Sequence, residues 1–206
     1  MDSNWASEQL QTIRTLMERS AIYRRALAPI MLVAGAAGVI AAGIGLLCEI
    51  DSARSFCCLW YGTAVFAMAS ALYLTRQQAI KDSEVFWSPP TRRVVQALAP
   101  PLLAGMLMGG FPLLTYVSSD VKWVSTLVWV MFYGLALHSA GFFMPRGIKY
   151  FGWLFIASVC AFFYTGYFFK VNLNFNPHLF MGFFFGILHL AYGAYLYLTE
   201  KGKNAA

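Results

Sequence analysis

The sequence predicts an all-α, polytopic membrane protein: a bundle of six transmembrane helices with both termini in the cytoplasm. Three observations carry this expectation. Of the 206 residues, 59% are hydrophobic and only 12% charged, with a mean hydropathy of +0.60, whereas soluble domains carry roughly a quarter charged residues. Six stretches reach the ~20 apolar residues that a helix needs to cross about 30 Å of hydrocarbon at about 1.5 Å per residue. The basic residues gather on alternate connections, as a fixed membrane orientation requires.

Residues 1–26 form the first expected element, a cytoplasmic amphipathic juxtamembrane helix. Leu10, Ile13 and Met17 recur at helical spacing, Glu8, Arg14, Glu18 and Arg19 fall mostly on other faces, and the segment ends in Arg24-Arg25. The transmembrane domain spans residues 27–198, with helices at 27–47, 56–74, 94–117, 123–144, 150–169 and 179–198. A cytoplasmic tail covers 199–206. The first apolar stretch follows a long polar segment and exceeds the length of a signal-peptide core, so it is expected to stay in the mature protein.

Orientation follows from Lys and Arg. One side holds Arg14, Arg19, Arg24, Arg25, Arg76, Lys81, Arg92, Arg93, Arg146, Lys149, Lys201 and Lys203, and the other holds Arg54, Lys122 and Lys170. Twelve against three predicts cytoplasmic termini. The net charge of +6 and pI near 9.2 therefore reflect topology, and no nucleic-acid partner is expected, because the charges lie on separate loops. The loop 75–93 carries Phe86-Trp87-Ser88-Pro89-Pro90, where the prolines forbid a continuous helix.

Packing is expected to rest on small residues, because lipid gives helices no hydrophobic reason to associate. Gly38 lies on a stripe with Ala34 and Ala42, Gly105 pairs with Gly109, and Gly182 pairs with Gly186 at four-residue spacing. These read first as contacts within one bundle, and second as a homo-oligomer seam, most plausible at the first helix. Pro100, Pro101 and Pro112 are expected to bend the third helix and free carbonyls that the protein must satisfy.

No Asp, Glu, Lys or Arg lies well inside a span, which argues against ion-coupled transport but not against a pore or carrier for neutral solutes. His138 and His189 fall inside spans. Their plain reading is two neutral histidines hydrogen-bonded across helices, and haem or pigment ligation by either is the alternative. Measured from the same face they lie about 22 Å and about 15 Å deep, an awkward offset for two axial ligands of one haem. Ser139 with His189 would suit an intramembrane serine protease, but His138-Ser139-Ala140-Gly141 lacks the Gly-x-Ser-Gly framing and no oxyanion-hole His-Asn occurs on the second helix. Cys48 could bridge Cys57 or Cys58 across the first loop, although buried free thiols are the plainer expectation. The segment Lys170–His178, with Asn172, Asn174 and Asn176, reads as a solvated turn.

The run Leu10-Gln-Thr12-Ile13-Arg14-Thr-Leu16-Met17-Glu18-Arg19, with Tyr23-Arg24 and Ala28-Pro29, resembles the start of a group of uncharacterised bacterial inner-membrane proteins often encoded beside a small winged-helix regulator. The likeness covers residues 10–29. It implies a bacterial inner membrane and a cytoplasmic protein partner, and it carries no activity across. The sequence therefore points to a non-enzymatic membrane component whose exposed surface is the N-terminal helix with the 75–93 loop.

Overall fold

Apolar runs in this chain become helices because only a helix satisfies its backbone polar groups without help from water. The computed structural model describes residues 26–114, 121–169 and 175–204, and among them there is no strand. Helix α1 covers Ala26–Leu47 and α2 covers Ala53–Lys81. They are followed by α3 (Pro89–Gly109), α4 (Phe111–Leu114), α5 (Val121–Ala140) and α6 (Arg146–Phe169). The last span is one helix in three parts: α7 (Pro177–Met181), a π segment (Gly182–Ile187) and α8 (Leu188–Asn204). Five helices are long and apolar enough to cross a membrane: Ala26–Leu47, Ala53–Lys81, Val121–Ala140, Gly147–Gly166 and Pro177–Thr199. The chain is thus an all-helical, multi-pass membrane protein.

Helix ends depart from expectation in ways the local chemistry explains. Ser52 caps α2 by accepting the Ser55 amide, which starts the helix before the first apolar residue. At 29 residues α2 is about 43 Å long, more than the hydrocarbon thickness, so it runs into the segment expected to be loop. It stops at Asp82 and Ser83, where Ser83 takes a left-handed φ of 53°. Pro89 and Pro90 then occupy the first two positions of α3, where a missing N–H costs nothing. The helix continues through Pro100 and Pro101 and ends at Gly109. The break in the third expected helix is therefore at Gly110, ahead of Pro112, which sits in α4.

Helix α5 lies at the centre, packed on α3 along one side and α6 along the other. Glycine makes both approaches possible. A Cβ at Gly105 would lie 2.7 Å from the Phe132 Cβ, one at Gly109 would strike the Trp129 indole, and one at Gly152 would lie 2.6 Å from the His138 amide nitrogen.

The second close interface joins α1 to the last span. A Cβ at Gly35 would lie 2.7 Å from the Leu190 amide nitrogen, and one at Gly38 would run into the Phe185 carbonyl. Across the seam Gly182 faces Ala42, Gly186 faces Val39 and Gly38, and Gly193 faces Leu32. The first helix thus spends one small-residue stripe inside the bundle. Because backbone faces Gly38, Gly38→Ala should lower stability by about 1–3 kcal/mol, the usual cost of overpacking. Gly62→Ala, with open space around its Cβ, should be neutral or slightly stabilising. Thermal unfolding of both variants in detergent checks the contrast, and equal behaviour would contradict this seam.

Candidate functional site

Two clusters of polar side chains inside the bundle are each built where a helix is broken or begins. The first lies at the end of the bundle where α1 finishes, α2 and α5 start and α7 enters. Asn176 caps α7 by accepting the His178 amide through its side chain, and Pro177 follows at the first helical position. This turns His178 inward beneath Gly45, where its ring would meet any Cβ. Only 2% of His178 is exposed, so the residue expected in a solvated turn is instead core. Asn172 and Asn174 lie outside the described residues.

Both ring nitrogens of His178 are committed. The Trp60 indole N–H, which can only donate, gives its hydrogen to Nδ1 at 3.3 Å. Nε2 lies 3.1 Å from the Ile50 carbonyl, which can only accept, so Nε2 carries the hydrogen. This is neutral imidazole in one tautomer, tying α7 to α2 and to the α1–α2 connection. Phe56 packs edge-on to the ring at 4.8 Å. Asp51 and Lys122 form an ion pair at 3.4 Å nearby, joining the same connection to α5.

The break at Gly110 is stitched by three donors on one face of α2. Arg54 Nη2 donates to the Leu113 carbonyl at 3.1 Å, Cys57 Sγ faces the Gly109 carbonyl at 3.8 Å, and the Tyr61 hydroxyl donates to the Met106 carbonyl. Spacings of three and four put these residues on one stripe. They reach carbonyls around the break, where the helical ladder is interrupted.

The second cluster surrounds His189. The π segment leaves the Phe184 carbonyl open to a side-chain donor, and His189 Nδ1 supplies it at 2.9 Å. Nε2 must then accept, and the Tyr133 hydroxyl on α5 donates to it at 2.7 Å. His189 is 2% exposed, with Phe151, Phe155 and Phe185 around its ring. Its tautomer is the opposite of that at His178. Neither nitrogen is left for Ser139, and ligation through Nε2 would cost the Tyr133 bond.

His138 differs. Its ring lies between Phe142 and Trp153, at 5.4 and 5.2 Å, and shares no ring neighbour with His189. Its Nδ1 is buried and has no hydrogen-bond partner. Lys149 Nζ sits 4.2 Å above the Phe142 ring. The two histidines singled out in the sequence are thus held in separate surroundings.

Other candidates yield less. Among the described residues no group of three or more His, Cys, Asp or Glu could hold a metal ion. Cys48, Cys57, Cys58 and Cys160 are free thiols. A groove of about 450 Å³ lies between α6 and the last span, lined by Ser158, Phe162, Thr165, Leu179, Phe180 and Phe183 among others. The Ser158 and Thr165 hydroxyls are spent on carbonyls of their own helix, so its walls offer no free side-chain donor. Leu10, Ile13 and Met17 lie outside the described residues.

The sequence reading missed His178, Trp60, Tyr133 and the Arg54–Cys57–Tyr61 stripe. Only the stripe left a trace, as donor-bearing side chains at helical spacing facing a proline- and glycine-interrupted helix. Tyr133→Phe leaves a buried His189 nitrogen without its donor, a loss of roughly 0.6–1.7 kcal/mol in a membrane interior. Tyr73→Phe, at a 62% exposed position, should cost far less, and a denaturation series on the two variants reads the difference.

No family model, curated protein or solved structure matches the chain.

Proposed function

We propose that the chain is a non-enzymatic component of a bacterial inner membrane, crossing it six times with both termini inside, and that it works through protein–protein contacts. The observation that carries this reading is the use of its buried polar atoms. His178, His189, Cys57 and Trp60 each direct theirs at a backbone carbonyl or a neighbouring side chain, as does the half-buried Tyr61, with Thr126 Oγ1 and His138 Nδ1 the buried exceptions among the described residues. Groups spent on holding helix ends together are not poised to meet a substrate.

The sixth crossing is α3 with α4. At 21 residues α3 alone is about 31 Å long. Arg92-Arg93 at its start and Pro100-Pro101 within it lower its hydropathy. Its working surface is the cytoplasmic face, where twelve of the fifteen Lys and Arg residues fall. Leu10, Ile13 and Met17 form the apolar stripe that a cytoplasmic protein partner, or a neighbouring copy, covers. A helix of about 16 residues is marginal alone in water, so such a stripe needs a cover. The likeness of residues 10–29 to inner-membrane proteins encoded beside winged-helix regulators supports a partner of that kind.

A second reading has one observation in its favour. The unpartnered Nδ1 of His138, framed by Phe142 and Trp153, makes His138 rather than His189 the residue to hold a haem or pigment. In that case a visible absorption band of the gently purified protein is lost in His138→Ala and kept in Tyr133→Phe. A colourless preparation sets this reading aside. A pore or carrier for neutral solutes gains nothing from the groove, whose lining hydroxyls are already bonded within α6.

Two measurements test the main reading. Reporters fused after Ala206 and near residue 85 should read cytoplasmic, and one within 170–178 should read external. Crosslinkers at residues 10 and 17 should capture protein, in a manner that survives high salt and is lost in Ile13→Asp. Lipid-only capture would reduce the segment to an interfacial anchor.

A further inference from the structure

The last span carries both histidine contacts, and its helical register decides whether the two can exist together. From His178 to His189 is eleven residues, which in unbroken α-helix turns about 20° beyond three full turns. An α-helical span would therefore put both histidines on one face. They face different neighbours: His178 meets Gly45, Ile50 and Trp60, whereas His189 meets Tyr133, Phe151 and Phe155.

The seam against α1 shows where the difference arises. Residues of the last span that meet α1 include His178, Gly182, Phe185, Gly186, Leu190 and Gly193, with Gly45, Ala42, Gly38, Gly35 and Leu32 across from them. Within that seam His178, Gly182, Gly186 and Leu190 step by four, and a stripe that holds one face over three steps of four is under-wound relative to α-helix. The π segment at Gly182–Ile187 supplies the extra residue. It keeps small residues on the α1 seam and turns His189 aside by one position, about 100°. Without it His189 would fall on the seam, where Gly35 and Gly38 already touch backbone.

We propose that the π segment and the two histidine contacts form one register lock. The Trp60–His178–Ile50 contact holds one end of the span, and Tyr133–His189–Phe184 holds the far end of the π turn. Each keeps the under-winding that the other requires. Release of either contact lets the span relax toward continuous α-helix, with one half turned by about 100° relative to the other. The pieces that move are α8 and the α1 surface seated on it, and α1 leads directly into residues 1–25.

Histidine tautomers read this lock directly, because the chain has only three histidines. With [15N]histidine in the full-length protein in lipid nanodiscs, wild type should show His178 as the Nε2–H form and His189 as the Nδ1–H form. Replacement of each histidine in turn assigns the signals. Trp60→Phe removes the donor to His178 and touches nothing at His189, about 16 Å away along the helix. Sites that far apart are ordinarily independent. The lock requires His189 to lose its single Nδ1–H form in Trp60→Phe, with the His138 signal unchanged as the control for folding. If Trp60→Phe fails to fold, the smaller change Tyr133→Phe is read at His178 instead. A distant response in either variant supports the lock. Unchanged distant tautomers, or wild-type tautomers opposite to those named, would overturn it.

Discussion

A carbonyl freed inside a bilayer has no water to turn to, and the arrangement of this bundle depends on that constraint. The helices are interrupted at a few defined places, and each interruption is met by a donor from another part of the chain. The end of α1 presents Ile50, and His178 meets it. Around the stop at Gly110 the carbonyls of Gly109 and Leu113 are met by Cys57 and Arg54, and Tyr61 adds a second donor to the Met106 carbonyl, which also keeps the Gly110 amide. The π turn frees Phe184, and His189 meets it from one turn further along. Of the two histidines that look in the sequence like candidates for chemistry, His189 is here a partner of backbone and His138 is not.

Close packing supplies the complementary half. Interfaces between apolar helices in lipid gain from van der Waals contact and lose from any gap, so residues without side chains mark where backbones meet. In this chain they mark two seams, α3–α5–α6 through Gly105, Gly109, Gly134 and Gly152, and α1 against the last span. These seams leave little freedom. Under-winding in the last span is acceptable because α1 presents Gly35, Gly38 and Gly45 at the positions that receive it.

Much of the architecture was legible from composition and period. Long apolar runs located helices but not all their ends, with α2 running on from the expected residue 74 to Lys81 and α3 stopping at Gly109, short of the expected 117. Gly105, Gly109, Gly182 and Gly186 stand where an added Cβ would clash. Helix ends were less legible, because Ser52 extends α2 by a side-chain cap and Gly110, not the proline pair, stops α3. The burial of His178 was hidden for a different reason. Trp60 and Ile50 are 118 and 128 residues away, and nothing local distinguishes a capped, inward-turned histidine from one in a polar loop. The π turn was equally hidden, since an inserted residue shows only against a partner surface whose register is known.

What the buried hydrogen bonds contribute is better judged as specification than as stability. Interhelical polar contacts in membranes are worth about 0.6 kcal/mol on average, because an unfolded helix in lipid also finds partners. A bundle does not need His178 or His189 in order to cohere. The seam with α1 could, by apolar packing alone, accept more than one rotation of the last span. Two imidazoles held in opposite tautomers, His178 between the Trp60 N–H and the Ile50 carbonyl and His189 between the Tyr133 hydroxyl and the Phe184 carbonyl, remove that freedom, because a slip of one residue would leave buried polar atoms at both ends unpaired. That penalty is what selects the π-containing register over the straight helix.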